Sequence, residues 1–320
     1  MRYYVRAIAK RVLRSIPSRG TDLVGILADR SRTRHGPWRV CPTSLVYPAR
    51  FYIDPLLEHA PEVLLGKGRL ADRMVVAPTT LSPLAPSLEA LHHLNRVGAG
   101  LADDESVLTR HAEYISALVD AGGQLRYPSI EMRGVKLRGM PSALSSGFAL
   151  SALARARVKA GGGAFDASIE RLLAGLRLEE EAGGVCRHEA GGPVFFEYPR
   201  TGKHALVLNG WLSAVIGILE AADESRNASF VRSVLDALAT ELPKFEYRLG
   251  HRYARDWTRL AGGLYPALVC FQLAHIGLLT AEERWWSVCH RWRAFVDWPH
   301  LAREHAGRGA EARLELLFHA

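Results

Sequence analysis

The chain has few cysteines, and none is spaced for a zinc site or a disulfide framework. They are Cys41, Cys186, Cys270 and Cys289. None forms a Cys-x-x-Cys pair, and no Cys/His spacing suits tetrahedral zinc. Cys186 and Cys270 lie in apolar stretches, which predicts buried free thiols. The pattern is typical of a protein from a reducing compartment.

Long apolar runs are also missing. No stretch approaches the roughly 18–20 apolar residues that a membrane-spanning helix needs. The N-terminus lacks the apolar segment of about 7–15 residues that marks a secretory signal. Residues 2–16 instead combine basic residues with apolar residues on one helical face. We expect an amphipathic helix there, packed either on its own domain or on an anionic membrane surface. These features predict a cytoplasmic location, at the inner membrane face if the helix contacts lipid.

Several ligand-binding motifs are absent as well. The glycine-rich segment 160–166 lacks the Lys-Ser/Thr of a phosphate-binding loop. His92, His93 and His111 do not have the spacing of a helical zinc motif, so they are better explained as core or surface histidines. No helix-turn-helix or RNA-recognition pattern accompanies the basic residues. The sequence therefore predicts no cofactor, no metal and no nucleic-acid partner.

What the chain does have is ordinary globular composition with an excess of positive charge. Of its 320 residues, 48% are hydrophobic, which is enough for a sizeable core. The formal net charge is +8, and a positive field favours polyanions such as nucleic acid, acidic lipid or acidic polysaccharide. Charge alone does not choose among these partners.

The chain divides into two regions of different pattern. Residues 1–80 alternate basic and proline-containing stretches with strand-like pieces such as 46–54, and the prolines prevent a long helix. Residues 81–320 carry helical periodicity in segments joined by short glycine-rich or polar turns. We therefore predict an irregular N-terminal arm with short strands over 1–80, and one further domain over 81–320.

The second region predicts a mainly α fold. Its helical segments are 87–98, 103–123, 140–163, 165–184, 206–225, 228–245, 262–279 and 280–298. A hairpin is predicted over 184–199, with its turn at Ala190-Gly191-Gly192. Paired antiparallel helices with short hairpins favour an α/α toroid-like, incomplete barrel over a parallel-sheet fold. Such a barrel gathers the N-terminal ends of its inner helices at one mouth.

The last helical segment carries tryptophans interleaved with arginines. Such a stripe can stack on sugar rings or bases. The helical spacing favours a second interpretation, in which Trp285, Val288, Trp292 and Phe295 form the buried seam of the helix.

The stretch Phe195–Trp211 raises the question of function. An acid, Glu197, stands beside Tyr198 and before Pro199, and Asn209 opens the apolar run that follows. By default Tyr198 is a corner tyrosine that caps a loop, Glu197 forms a salt bridge, and Asn209 is a helix N-cap. The alternative is that these residues carry the chemistry.

Four motifs, in order, resemble the C-terminal domain of the D-glucuronyl C5-epimerases, which act on precursors of heparan sulfate. They are the small-residue helix Met140–Ala156, the hairpin ending in Glu197-Tyr198-Pro199, the Val-Leu-Asn-Gly helix at Val207–Ala221, and the tyrosine segments around Tyr253 and Tyr265. The resemblance covers about Gln124 to Trp298, and an aromatic-Asp strand at residues 51–55 is also similar.

The resemblance implies a reaction and a set of residues. A C5-epimerase removes the weakly acidic proton alpha to a uronate carboxylate and returns one on the other face, so a base and an acid must flank C5. The residues implied to transfer protons are Glu197, Tyr198, Tyr253 and Tyr265, and those implied to bind substrate are Arg200, Asn209, Arg252 and Arg255. We expect these arginines to lower the pKa of the tyrosines or to pair with the uronate carboxylate. The implied partner is an anionic, uronate-containing polysaccharide, and a homodimer remains open.

The chain departs from the family pattern after its last tyrosine. Residues 266–270 are apolar, where the family carries polar residues including histidines. This departure keeps two other interpretations open. One is a polysaccharide-binding protein that has the fold without the chemistry. The other is a uronate lyase or glycosidase, although a glycosidase needs two carboxyl groups and only Glu197 and Asp256 are candidates.

Overall fold

A computed structural model describes residues 106–293 and part of a preceding helical segment. The described set is 83–84, 86–88, 90–91, 93 and 106–293, except 128–129, 133–134, 162, 200–205, 248–249, 258–260 and 262–264. Only the backbone is described for 130–132, 135–137, 224–225, 267 and 293. All of these residues belong to one compact unit, Arg50–Arg293. The predicted N-terminal arm, its amphipathic helix and Cys41 lie outside the described residues.

Helices dominate this part of the chain, which confirms the mainly α prediction. They are α1 (Ser106–Leu118), α2 (Ala143–Ala160), α3 (Asp166–Arg177), α4 (Leu208–Ala221), α5 (Glu224–Glu241), α6 (Tyr265–Thr280) and α7 (Glu283–Arg293). The described residues among 84–93 are also nearly all helical. A short 3-10 turn, Leu242–Phe245, follows α5, where Pro243 cannot continue the α-helical hydrogen bonds. Of the helices described, none is long and apolar enough to cross a membrane.

Four short antiparallel pairs of strands connect the helices. The strands are β1 (Arg126–Tyr127), β2 (Ile130–Met132), β3 (Val135–Leu137), β4 (Met140–Pro141), β5 (Cys186–Glu189), β6 (Gly192–Phe195), β7 (Glu246–Tyr247) and β8 (Gly250–His251). They pair as β1 with β4, β2 with β3, β5 with β6 and β7 with β8. In the third pair, Cys186 faces Phe195 and Glu189 faces Gly192. The hairpin predicted over 184–199 is thus confirmed, and its turn closes at Gly192, whose φ of +123° favours glycine.

Helices α2, α4 and α6 form the centre of the described unit and run in the same direction. Near the start of α4, Gly147 of α2 lies so close to Ser213 that an added Cβ would stand 2.3 Å from its carbonyl. Further along both helices, Arg155 of α2 reaches Glu220 of α4. Both α2 and α4 are buried around most of their circumference. Such all-round burial is expected of helices at the centre of a fold.

Helix α6 lies on the other side of α4. Its Gln272 bonds to Asn209, and one turn later His275 bonds to Glu220, so α6 runs parallel to α4. Each central helix is followed by a helix that packs on it: α3 on α2, α5 on α4, and α7 on α6.

Two local predictions have clear outcomes. Trp285 and Trp292 of α7 are buried beside Cys289, which confirms the buried seam for these tryptophans. Val288 is only half-buried, and Phe295 lies outside the described residues. The N-cap interpretation of Asn209 is wrong, because α4 begins at Leu208 with Val207 in the capping position. Val207 makes an isolated β-bridge with Ala254, and this pairing starts the helix one residue before the asparagine.

The buried-thiol prediction is confirmed. Cys186, Cys270 and Cys289 are free and buried. Cys270 and Cys289 each approach the other's backbone carbonyl across the contact between α6 and α7.

Candidate active site

Glu197 lies just after β6, where the starts of two central helices meet. The backbone N–H of Ala143, the first residue of α2, donates to the carbonyl of Phe196 (3.1 Å). The Glu197 side chain lies on Gly210, in the first turn of α4, and a Cβ there would stand 2.5 Å from Glu197 Oε2. Only a glycine at 210 therefore leaves room for this carboxyl group, which is 3% exposed.

Tyr198, Tyr253 and Tyr265 extend from Glu197 as a chain of hydroxyl groups. The Tyr198 hydroxyl donates to the Glu197 carboxyl and is also hydrogen bonded to the Tyr253 hydroxyl. The Tyr253 hydroxyl is in turn hydrogen bonded to the Tyr265 hydroxyl. The rings of Tyr253 and Tyr265 meet edge to face, with centroids 4.6 Å apart. The four residues predicted to transfer protons are thus brought into one connected cluster.

Backbone contacts hold the two later tyrosines at the same end of the fold. The N–H of Leu208, at the start of α4, donates to the Tyr253 carbonyl (3.0 Å), and the N–H of Arg255 donates to the Leu206 carbonyl (3.1 Å). Tyr265 is the first residue of α6. The N-termini of α2, α4 and α6 therefore converge on the cluster. Their partial positive charges favour an anion at this end.

Glu197 is poised to exchange a proton near neutral pH. Burial disfavours its charged form and raises its pKa to about 7, although the hydrogen bond from Tyr198 acts in the opposite direction. An acid or base with a pKa close to the working pH is the most effective proton-transfer group.

The tyrosines behave differently from the expectation based on nearby arginines. Burial raises the pKa of Tyr198, and the neighbouring Glu197 and Tyr253 raise it further. Burial also raises the pKa of Tyr253 and of Tyr265. The described arginines, Arg252 and Arg255, are not among the causes of these three shifts, and Arg200 lies outside the described residues. The tyrosines are therefore neutral proton donors in the resting site.

The two predicted arginines that the structure describes, Arg252 and Arg255, make their contacts with other residues. Arg255 pairs with Glu189 (Nη2–Oε1, 2.8 Å) and with Glu241 (Nη1–Oε2, 3.0 Å). The guanidinium of Arg252 lies 5.0 Å from the centre of the Tyr247 ring. Its Nη1 donates to the Arg255 carbonyl (3.1 Å). Arg200 lies outside the described residues. Substrate binding by these arginines stays a prediction.

Asn209 does lie at the cluster. It is in the first turn of α4, next to Gly210 on which Glu197 rests, and it is 4% exposed. Its carbonyl accepts a hydrogen bond from Gln272 Nε2 (2.8 Å), which ties it to α6. Among the described residues, neither Asn209 Oδ1 nor Glu197 Oε2 has a hydrogen-bond partner. Buried acceptors of this kind are costly unless a ligand or water satisfies them.

One site residue was missed by the sequence analysis. Tyr127, at the end of β1, interacts electrostatically with Tyr198, and its hydroxyl accepts a hydrogen bond from Ser145 of α2 (3.0 Å). A signal for it exists in the sequence, because Tyr127, Tyr198 and Tyr265 are each followed directly by proline. The same pair also occurs at Tyr47-Pro48, outside the described residues, so the signal is not specific on its own.

Within the described part of the chain, no three His, Cys, Asp or Glu side chains are grouped so that they could hold a metal ion.

Comparison with protein families agrees with the geometry. The profile of the family described as D-glucuronyl C5-epimerase C-terminus matches residues 120–294, more than half of the chain. The chain belongs to this family. A comparison with curated proteins finds no match. The epimerase-family region includes Tyr127 and the four clustered residues, Glu197, Tyr198, Tyr253 and Tyr265.

The departure from the family pattern after Tyr265 has a structural explanation. Leu268, Val269 and Cys270 are buried in α6, so these apolar residues belong to the core. In this member of the epimerase family, the first turns of α6 keep a tyrosine at the cluster and pack apolar side chains behind it.

Proposed function

We propose that the protein is an epimerase that inverts C5 of D-glucuronate residues in an anionic polysaccharide. The observation that carries the proposal is the buried chain of proton-transfer groups from Glu197 through Tyr198 and Tyr253 to Tyr265. Membership of the epimerase family supports the reaction class. Helices α2, α4 and α6 run parallel to one another. We propose that they belong to the inner layer of an α/α toroid-like barrel, the fold that the resemblance to the family implies.

The raised pKa values suggest how the first proton is removed. Tyr198 is a poor base by itself, but its hydroxyl proton can move to the Glu197 carboxylate as its oxygen accepts the proton from C5. The negative charge of Glu197 is thereby transferred to the substrate, whose carboxylate takes on enolate character. No free tyrosinate has to form, which agrees with the upward shifts of the tyrosine pKa values.

The second proton comes from the other end of the chain. Tyr265 is neutral and donates its hydroxyl proton to the opposite face of C5, and Tyr253 replaces that proton. Tyr198 then supplies Tyr253 and recovers a proton from Glu197, so the carboxylate is restored. The converging helix N-termini stabilise the negative charge while it resides on the substrate.

We also propose which residues bind the substrate. The unpaired Asn209 Oδ1 is suited to accept a hydrogen bond from a sugar hydroxyl. Arg200 follows the Glu-Tyr-Pro segment directly and is the arginine we propose for the uronate carboxylate. To reach the substrate, Arg252 would have to leave Tyr247, and Arg255 would have to leave Glu189 and Glu241.

Proton exchange by NMR tests the proposal. The protein is incubated with heparosan and other unsulfated uronans in deuterated water, and the H5 signal is followed. We expect loss of H5 and new iduronate signals, and we expect Tyr198→Phe and Tyr265→Phe to lower the rate about 100-fold or more. Tyr114→Phe is the matched control, because that hydroxyl lies on α1 without a hydrogen-bond partner among the described residues.

The same experiment separates the alternatives. An unsaturated, ultraviolet-absorbing product would identify a lyase. Saturable uronan binding without H5 exchange would identify a non-catalytic binding protein. A glycosidase is disfavoured because its second carboxyl candidate, Asp256, is exposed, whereas Glu197 is buried.

A further inference from the structure

We propose that Gln272 of α6 is a positioning residue that sets where the Tyr265 hydroxyl stands relative to Glu197. This inference rests on the proposed epimerase function. An epimerase needs a base on one face of C5 and an acid on the other, so the distance between the two ends of the cluster must be fixed.

The two ends of the cluster are held by different helices. The Glu197 carboxyl group rests on Gly210, in the first turn of α4, where a Cβ would stand 2.5 Å from its Oε2. Tyr265 is the first residue of α6. The separation between the end that removes a proton and the end that donates one therefore depends on how α6 is placed on α4.

Hydrogen bonds from Gln272 fix this placement. Its Nε2 donates to the carbonyl of Asn209 (2.8 Å) and to Ser213 Oγ (2.8 Å), and Ser213 Oγ donates to the same carbonyl (2.8 Å). All three residues are buried, and Asn209 directly precedes Gly210 on α4. Helix α6 is thus tied to the turn of α4 on which Glu197 rests.

Packing alone does not explain a glutamine at this position. Its neighbours in α6 are buried and apolar: Leu268, Val269, Cys270, Phe271, Leu273, Ala274 and Ile276. A buried amide costs free energy unless it is hydrogen bonded, and a methionine would fill a similar volume without that cost. What the Gln272 amide adds is direction. Its hydrogen bonds hold α6 against α4 to within about half an ångström, because longer bonds weaken, whereas apolar contacts tolerate sliding.

Tyr265 and Gln272 lie on the same face of α6. They are seven residues apart, and an α-helix returns to nearly the same face after seven residues, with a drift of about 20°. The Tyr265 ring meets the Tyr253 ring (4.6 Å between centroids), and the Tyr253 carbonyl accepts a bond from the N–H of Leu208 at the start of α4. A shift of α6 at Gln272 therefore moves the Tyr265 hydroxyl relative to α4. A displacement of about 1 Å can lower a rate about 100-fold.

The stereochemistry of exchange in deuterated water tests this role. A deuteron from the Tyr265 hydroxyl reaches the opposite face of C5 and gives iduronate, whereas a deuteron returned by Tyr198 after exchange with solvent gives deuterated glucuronate. On heparosan, we expect Gln272→Met to lower the initial ratio of inverted to retained deuterated product about threefold or more, because Tyr265 is displaced. A loss of folded protein lowers both products equally and leaves this ratio unchanged.

Gln124→Met is the matched control. Gln124 is also buried, and its Nε2 also donates to a backbone carbonyl, that of Gly175 in the last turn of α3, which packs on α2. This variant should leave the product ratio unchanged, whatever its effect on stability. Ser213→Ala removes one acceptor of the Gln272 amide and should lower the ratio less, by about twofold. It also provides the test if Gln272→Met does not fold.

A second readout needs no substrate. In protein labelled with 13C at the tyrosine Cζ, Gln272→Met should shift the Tyr265 signal, which is identified by its absence in Tyr265→Phe, and Gln124→Met should not. An unchanged product ratio in Gln272→Met, an equal fall in Gln124→Met, or an unshifted Tyr265 signal would overturn the inference. If the unaltered protein exchanges no H5 on any uronan, the proposed function fails, and the Tyr265 signal alone decides whether Gln272 positions it.

Discussion

At the scale of single residues, burial is the physical effect that gives the site its chemistry. Glu197 and the tyrosines around it have lost most of their hydration, so each pKa lies above its ordinary value. For a carboxyl group this shift brings the pKa close to neutrality. For the tyrosines it keeps the hydroxyl protonated. One environment therefore prepares a base and several acids at the same pH.

Replacing Glu197 tests its part in the reaction. Glu197→Gln keeps the shape and an acceptor for Tyr198, but it cannot take up a proton. We expect H5 exchange to fall about 100-fold or more. In the unaltered protein the rate should rise with pH through about 7, as Glu197 ionises, and the variant should lose this rise. Rates measured from about pH 5 to 9 check this. A similar pH profile in both proteins would assign the titration to another group.

The same substitution should change stability in a pH-dependent way. The pKa of Glu197 is about 7 when folded and 4.5 by its ordinary value. The buried charge therefore opposes folding increasingly as pH rises from 4.5 to 7. Above pH 7, Glu197→Gln should be more stable than the parent by up to about 3 kcal/mol, and near pH 4 the difference should vanish. Urea unfolding at the two pH values measures it, and equal differences at both would contradict the raised pKa.

At the scale of elements, a buried ionic cluster joins the three central helices. The Glu220 carboxylate of α4 accepts hydrogen bonds from Arg155 of α2 (2.7 Å) and His275 of α6 (2.8 Å). The side chains of Arg155 and His275 are nearly inaccessible to water. Burial alone would raise the pKa of Glu220, but Arg155 and His275 outweigh it and lower the pKa to about 2. Glu220 lies about three turns beyond Asn209 along α4, and His275 about one turn beyond Gln272 along α6, so the cluster fixes how the helices are aligned away from the site.

Removing the charge of Glu220 should therefore be costly. Glu220→Gln leaves Arg155 buried without its anion, and we expect a loss of about 3–5 kcal/mol in the free energy of unfolding at neutral pH. Because the folded pKa is about 2, this stabilisation is fully present above pH 4.5 and is lost as pH falls toward 2. The control is Glu282→Gln, which removes a partly exposed pair with Arg284 and should cost less than about 1 kcal/mol. Equal losses from both variants would contradict the role of the buried cluster.

The close approach of α2 and α4 gives a second prediction at this scale. A Cβ at Gly147 would lie 2.3 Å from the backbone carbonyl of Ser213, whereas a Cβ at Gly122 would meet only Asp120 Oδ1 at 3.4 Å. Gly147→Ala must push the helices apart, and we expect a loss of about 1–3 kcal/mol in unfolding free energy. Gly122→Ala should change stability by less than about 0.5 kcal/mol. Thermal unfolding of both variants checks the comparison, and an unaffected Gly147→Ala would rule out the tight crossing.

At the scale of the whole molecule, the net charge of +8 bears on the choice of partner. The formal charge includes residues beyond those described, and it agrees with the polyanionic substrate that we propose. A polymer of uronates presents many carboxylates to this positive field, so long-range attraction should strengthen encounter and binding.

Binding to heparosan should therefore depend on salt. Raising NaCl from about 0.05 M to about 0.3 M shortens the Debye length to roughly 6 Å and should weaken binding several-fold or more. Calorimetry or biolayer interferometry at a series of salt concentrations measures the effect, with the neutral polymer dextran as control. Salt-independent binding, or equal binding of dextran, would show that charge does not select the partner.

Much of this architecture could be predicted from local patterns. Helical periodicity and terminating glycines predicted α1 to α7, and the Ala190-Gly191-Gly192 turn predicted the hairpin, because helix and turn preferences depend on neighbouring residues. The motif order predicted the family. The resemblance also predicts Glu197, Tyr198, Tyr253 and Tyr265 as site residues, and the structure brings these four together.

What only the tertiary structure decided concerns partners that are distant in sequence. The pairing of Arg255 with Glu189 and Glu241, and the contact of Tyr127 with Ser145, depend on how the elements pack. The sequence suggested arginines beside the tyrosines, but folding directs the described ones elsewhere and buries the tyrosines instead. Desolvation and ion pairing act through space, so the raised pKa values of Glu197 and its neighbours follow from burial that only the folded chain provides.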